Sequence, residues 1–60
     1  MNELKFQLGQ RVRLTESDEE GSIIARAEYL TMEPQYYVRY RAGDGRQTEV
    51  WWGESALSAL

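Results

Sequence analysis

The chain has 60 residues, with ten acidic against seven basic side chains and a formal net charge of −3. It contains neither cysteine nor histidine, which excludes a disulfide, a zinc site of the usual Cys/His type and any histidine-based triad or general base. A domain of this size buries only about 60% of its unfolded surface, so with those staples gone it must rely on a well-packed aromatic core, on self-association, or on both. Two Trp, four Tyr and one Phe suit either answer.

In chain order, residues 1–8 are expected to form an N-terminal arm leading into a single domain that spans residues 1–60. Residues 1–10 carry an early acid, Glu3, and no apolar signal-peptide core. Val12 and Leu14 then alternate with Arg11, Arg13 and Thr15, the period of a short half-buried strand. Residues 15–21 read as a polar, acidic loop carrying Glu16, Asp18, Glu19 and Glu20. A second strand is expected over residues 22–30, with Ile23 and Ala25 inward at its start and a bulge or bend later. Residues 31–35 hold the one proline, Pro34, and are expected to form a loop. Residues 36–42 form the third predicted strand, Gly43-Asp44-Gly45 the clearest turn, and residues 46–52 the fourth strand. Glu54-Ser55-Ala56-Leu57 suits a single helical turn. No stretch approaches the ~20 apolar residues of a membrane span, and the absence of cysteine fits a cytoplasmic location.

Trp51 and Trp52 are adjacent in the fourth predicted strand, so they must point to opposite faces. The hairpin decides which faces inward. A two-residue loop, Asp44-Gly45, would set Val38 against Trp51, Tyr40 against Glu49 and Arg39 against Val50, mixing charged and apolar groups on each face. A three-residue loop, Gly43-Asp44-Gly45 with the last glycine left-handed, sets Val38 against Val50, Tyr36 against Trp52 and Tyr40 against Thr48. Its other face pairs Arg39 with Glu49, Tyr37 with Trp51 and Arg41 with Gln47. Only the second arrangement sorts apolar from charged side chains and opposes unlike charges. It predicts Trp52 inward and Trp51 outward.

The pattern Phe6-x-x-Gly9-x-x-Val12-x-Leu14, Gly21-x-Ile23, Tyr36-x-Val38-x-Tyr40 and Glu54-Ser55-Ala56-Leu57 resembles the SH3-like barrel layout over nearly the whole chain. It is similar to small uncharacterised bacterial and prophage proteins. The resemblance implies an all-β fold: a small SH3-like barrel of four to five antiparallel strands with a short terminal helical turn. Tudor- and KOW-like barrels of this layout bind modified peptides, ribosomal components or nucleic acid. The plasmid-borne type II dihydrofolate reductase, a tetrameric SH3-like barrel, shares a Gly-x-x-Val-Arg start, here Gly9, Val12 and Arg13. Its active-site motif is Val-Gln-Ile-Tyr; the corresponding stretch here is Glu49-Val50-Trp51-Trp52 or its neighbour in register, without the glutamine, so reductase activity is not expected.

Four groups of residues are candidate sites. Tyr37 and Trp51 on the outer hairpin face could form a stacking platform or self-association patch, unless Leu4 and Phe6 of the arm, or Leu57 and Leu60, fold over them. Arg11, Arg13, Arg26, Arg39 and Arg41, interleaved with those aromatics, could contact nucleic acid, or be ordinary solvated positions paired with Glu28 and Glu49. The acidic loop lacks the ligand alternation of a calcium loop and reads better as solvated. Tyr29, Tyr36, Tyr37 or Trp52 could build a cage for a methylated amine, although hairpin parity sends Tyr36 and Trp52 into the core.

Together these readings lead to the expectation of a non-enzymatic binding module, for which the resemblance implies a phage or prophage origin. Its surface is formed by Trp51, Tyr37, Arg39, Arg41 and Glu49, and its partner is another protein or a second copy of itself. No metal, cofactor or membrane partner is expected. The alternative is a KOW- or Tudor-like nucleic-acid-binding barrel, which the net negative charge disfavours.

Overall fold

The computed structural model describes residues 4–41 and 43–60. The protein is all-β, with one five-stranded antiparallel sheet made of β1 (Arg11–Leu14), β2 (Glu20–Ala27), β3 (Gln35–Arg41), β4 (Gln47–Gly53) and β5 (Leu57–Ala59). A 3-10 turn, Glu54–Ala56, precedes β5. The hydrogen-bonded order is β4-β3-β2-β1-β5, with β4 and β5 at its two ends. Among the described residues, no helix is long and apolar enough to cross a membrane.

β1 follows its sequence alternation directly: Val12 and Leu14 are buried while Arg11 and Arg13 are exposed. It ends in a turn where the N–H of Asp18 donates to the carbonyl of Leu14 at 2.8 Å, and the N–H of Leu14 donates to the carbonyl of Glu19 at 2.7 Å. Asp18 turns the chain with a positive φ of 62°, a conformation that Asp tolerates better than most residues.

β2 begins two residues earlier than its sequence pattern suggests and ends at Ala27, so Glu28, Tyr29 and Leu30 lie beyond the strand and are exposed. The apolar residues Tyr29, Leu30 and Met32 therefore belong to the connection to β3. The expected bulge comes early. Ile23 opposes Val38, but Ala25 opposes Tyr37, so Ile24 is the extra residue. This reverses the face of everything after it. Ile23 is buried as expected, whereas Ala25 is displaced from the inward row to the Tyr37 row, and Arg26 stands opposite Tyr36.

The β3–β4 hairpin has the register of the three-residue loop. Tyr36 opposes Trp52, Tyr37 opposes Trp51, Val38 opposes Val50, Arg39 opposes Glu49, Tyr40 opposes Thr48 and Arg41 opposes Gln47. Gly45 has φ +88°, the left-handed conformation that glycine enters without steric cost. Asp44 Oδ1 accepts the N–H of Arg46 at 3.0 Å and closes the turn. Ala42, expected at the end of the third strand, lies outside the described residues, as does Glu3.

The core comprises Phe6, Val12, Leu14, Ile23, Tyr36, Val38 and Leu57, with Tyr40 and Trp52 packed against it. Phe6 meets Tyr36 edge-on, with ring centroids 5.2 Å apart and planes at 75°. The arm and the segment after the 3-10 turn thus supply core residues from both ends of the sequence. Leu57, assigned to a helical turn by the sequence, instead opens β5 opposite Leu14.

Candidate binding surface

The face opposite the core is assembled in rows across the sheet. One row runs through Ala25, Tyr37 and Trp51. The Tyr37 and Trp51 rings are stacked, with centroids 5.0 Å apart and planes inclined by 30°, a geometry favourable for aromatic pairs. Trp51 remains 44% exposed. The adjacent row runs Arg11, Ser22, Arg39 and Glu49. Arg39 Nε lies 2.6 Å from Glu49 Oε2, and Arg11 Nη1 donates to Ser22 Oγ at 3.2 Å. Arg11 and Arg13 each approach Glu20 at 3.8 Å.

All five residues of the expected surface, Trp51, Tyr37, Arg39, Arg41 and Glu49, therefore fall on one face of two neighbouring strands. Arg41, opposite Gln47, lines an open concavity of about 620 Å³ together with Arg11, Arg39, Glu20 and Gln47. The strands bring Arg11, Arg13, Arg39 and Arg41 to this face against Glu20 and Glu49, so a chain of net charge −3 presents a basic face. Arg26 is not part of it. The β2 bulge turns it away, and its Nη1 donates to the Phe6 carbonyl at 3.1 Å.

Among the described residues, the apolar side chains near the two termini serve other places. Phe6 and Leu57 are in the core. Leu4 and Leu8 line a separate depression with Arg26 and Glu28. Leu60 bonds through its N–H to the Arg11 carbonyl, beside β1, and its side chain is exposed. The expected alternative, in which these residues cover the Tyr37–Trp51 stack, is not what the structure adopts.

The aromatic-cage residues are dispersed. Tyr36 is in the core, Tyr37 is on the outer face, and Tyr29 is exposed in the connection before β3. In the acidic loop, Glu19 Oε1 accepts from Ser17 Oγ at 3.1 Å. Among the described residues, no three His, Cys, Asp or Glu side chains gather as a metal site.

One feature escapes sequence parity. Trp52 faces inward as expected but is only half-buried, and its Nε1 is shielded from solvent with no hydrogen-bond partner among the described residues. Its ring lines a cavity of about 290 Å³ between the turn at Thr15–Ser17 and the 3-10 turn at Ser55 and Ala56. Alternation fixes the direction of a side chain but not how completely neighbouring loops close over it. Tyr36 has a displaced ionisation. Burial, reinforced by its bond to Glu54, raises its pKa above the ordinary tyrosine value. That phenol is a structural tie rather than part of the outer face.

Compared with known protein families and with characterised proteins, the chain matches none.

Proposed function

We propose that the protein is a non-enzymatic binding module whose contact surface is the outer face of β3 and β4. The observation that carries this reading is the Tyr37–Trp51 stack, with Tyr37 half-buried and Trp51 exposed, fixed by hairpin register and on one face with Arg39, Arg41 and Glu49. Tyr, Trp and Arg dominate protein-contact energetics: the aromatics bury much area on two rotatable bonds, and arginine adds a planar fork of charged donors. The partner is a protein or a second copy of this chain. A sheet order of β4-β3-β2-β1-β5 with a 3-10 turn ahead of β5 supports the SH3-like layout as its frame.

Trp51→Ala tests the assignment. The variant should keep its circular dichroism and cooperative unfolding while losing the association of the parent chain, read as solution mass or as binding to an isolated ligand. A variant that associates as the parent does removes the surface from the reading.

A second reading follows from one specific observation, the four arginines gathered against two glutamates. A nucleic-acid backbone would complement that face, and affinity would fall steeply with salt. An electrophoretic shift at low salt with single- and double-stranded nucleic acid is the test. Absence of any shift removes this reading and leaves the protein partner.

A further inference from the structure

We infer that β4 pairs antiparallel with the β4 of a second copy about a two-fold axis at Val50, joining two sheets into one. This rests on, and specifies, the reading of the β3–β4 surface as a contact surface. β4 ends the hydrogen-bonded order. Among the described residues, none of its backbone groups bonds to anything beyond β3. Edge strands are normally blunted by lysine, proline, a bulge or extreme shortness. β4 is seven residues long, reads QTEVWWG and pairs with β3 without a register shift. Its one charge, Glu49, is already held by Arg39 at 2.6 Å.

Val50 indicates where the axis lies. It faces the same side as Val38 and Trp52, yet it is 39% exposed while its partner Val38 is fully buried. Val50 is also the midpoint of β4, so a two-fold there engages every residue of the strand. Val50 meets Val50, Thr48 meets Trp52, Glu49 meets Trp51 and Gln47 meets Gly53 of the second copy. On the outer face the two Trp51 rings become diagonal neighbours, within reach of large side chains, and the two Tyr37–Trp51 stacks form one patch.

The neighbouring registers are worse for stated reasons. An axis at Glu49 sets the two Glu49 carboxylates directly opposite one another, which is destabilising. An axis at Trp51 sets Glu49 opposite Gly53, and Glu33 occupies the space that a Cβ on Gly53 would take, so two carboxylates again converge. The axis at Val50 instead brings the Gln47 amide, which can donate, toward Glu33. The interface is isologous and closed, so it yields a dimer and not a fibre. It also supplies apolar burial to a chain of marginal size with no cysteine.

The test uses the full chain and exploits its lack of cysteine. Light scattering at high micromolar concentration should give the mass of two chains. Val50→Cys should form a disulfide-linked pair under mild oxidation much faster than Glu49→Cys or Trp51→Cys, because only position 50 opposes itself. Val50→Lys, which sets two ammonium groups on the axis, should be folded and single. If that variant does not fold, the cysteine comparison decides. A parent chain that scatters as one copy overturns the inference, as does a dimer in which position 50 crosslinks no faster than its neighbours. A single-copy parent whose Trp51→Ala variant still loses a ligand sinks the pairing alone. One whose Trp51→Ala variant loses nothing sinks the surface reading as well.

Discussion

The Tyr36 hydroxyl donates to Glu54 Oε2 at 2.6 Å and accepts the backbone N–H groups of Lys5 at 3.0 Å and Phe6 at 3.3 Å. One phenol thus uses its donor and its acceptor capacity to tie the N-terminal arm, β3 and the 3-10 turn together. Tyr36→Phe keeps the ring against Phe6 but leaves the Phe6 amide without its acceptor and reduces the Lys5 amide and the Glu54 carboxylate to their own 3.2 Å contact. The expected loss is about 1–3 kcal/mol, measured by denaturant unfolding. An unchanged midpoint would show that the phenol contributes no net stability.

The same bond has a pH signature. Burial first, then the hydrogen bond to Glu54, raises the Tyr36 pKa above 10.0, against a smaller opposing pull from the Phe6 and Lys5 amides. The folded chain therefore holds this proton to higher pH than the unfolded chain does. The stability linked to it is complete below the ordinary tyrosine value and drains away as pH rises through that value toward the folded one. Unfolding free energy should fall more steeply with alkaline pH in the parent than in Tyr36→Phe. Parallel curves would refute the linkage.

Gly21 is buried in β2 opposite Tyr40 and Val12. A Cβ there would stand 2.5 Å from the Arg39 carbonyl oxygen and 2.8 Å from both Tyr40 Cβ and Val38 Cγ1. Backbone cannot yield as a side-chain tip can. Gly21→Ala should therefore cost about 1–3 kcal/mol by overpacking, despite the usual gain from replacing a flexible residue. Thermal unfolding checks this, and a raised Tm would contradict it.

The two hairpin glycines should respond in opposite ways. Gly45 sits at φ +88°, so Gly45→Ala should lose about 1–2 kcal/mol. Gly43 lacks a positive φ, and a Cβ there would meet nothing within 4 Å. Gly43→Ala should be neutral or stabilise by about 0.4–1 kcal/mol through the unfolded state. Equal effects at both positions would show that the loop does not use its glycines as described.

The hairpin was legible because parity and charge sorting act on the same residues. Only one loop length puts Arg39 against Glu49 and keeps Tyr36, Val38 and Trp52 on a common face, and that is the register found. β2 was only partly legible. Ile23, Ile24 and Ala25 are all small or apolar, so their order does not show which one the ladder skips. The arm was misread in one alternative for a related reason. Phe6 could cover either face, and its choice depends on the edge-on contact with Tyr36 and the amide bonds to its hydroxyl. The unpartnered Trp52 Nε1 depends on the packing of two loops that no strand pattern describes.

The pairing of β1 with β5 has a consequence for how the chain acquires its shape. Val12 lies beside Ala59 and Leu14 beside Leu57, so the flank of β1 is completed by residues far along the chain from it. Synthesis or refolding can form the β2–β3 and β3–β4 hairpins from local segments. The β1–β5 ladder must wait for a long loop to close, and that entropy is lost before the contacts repay it. Until then β1 offers an open edge, and the interval before β5 docks is the one in which this protein is most exposed to mispairing.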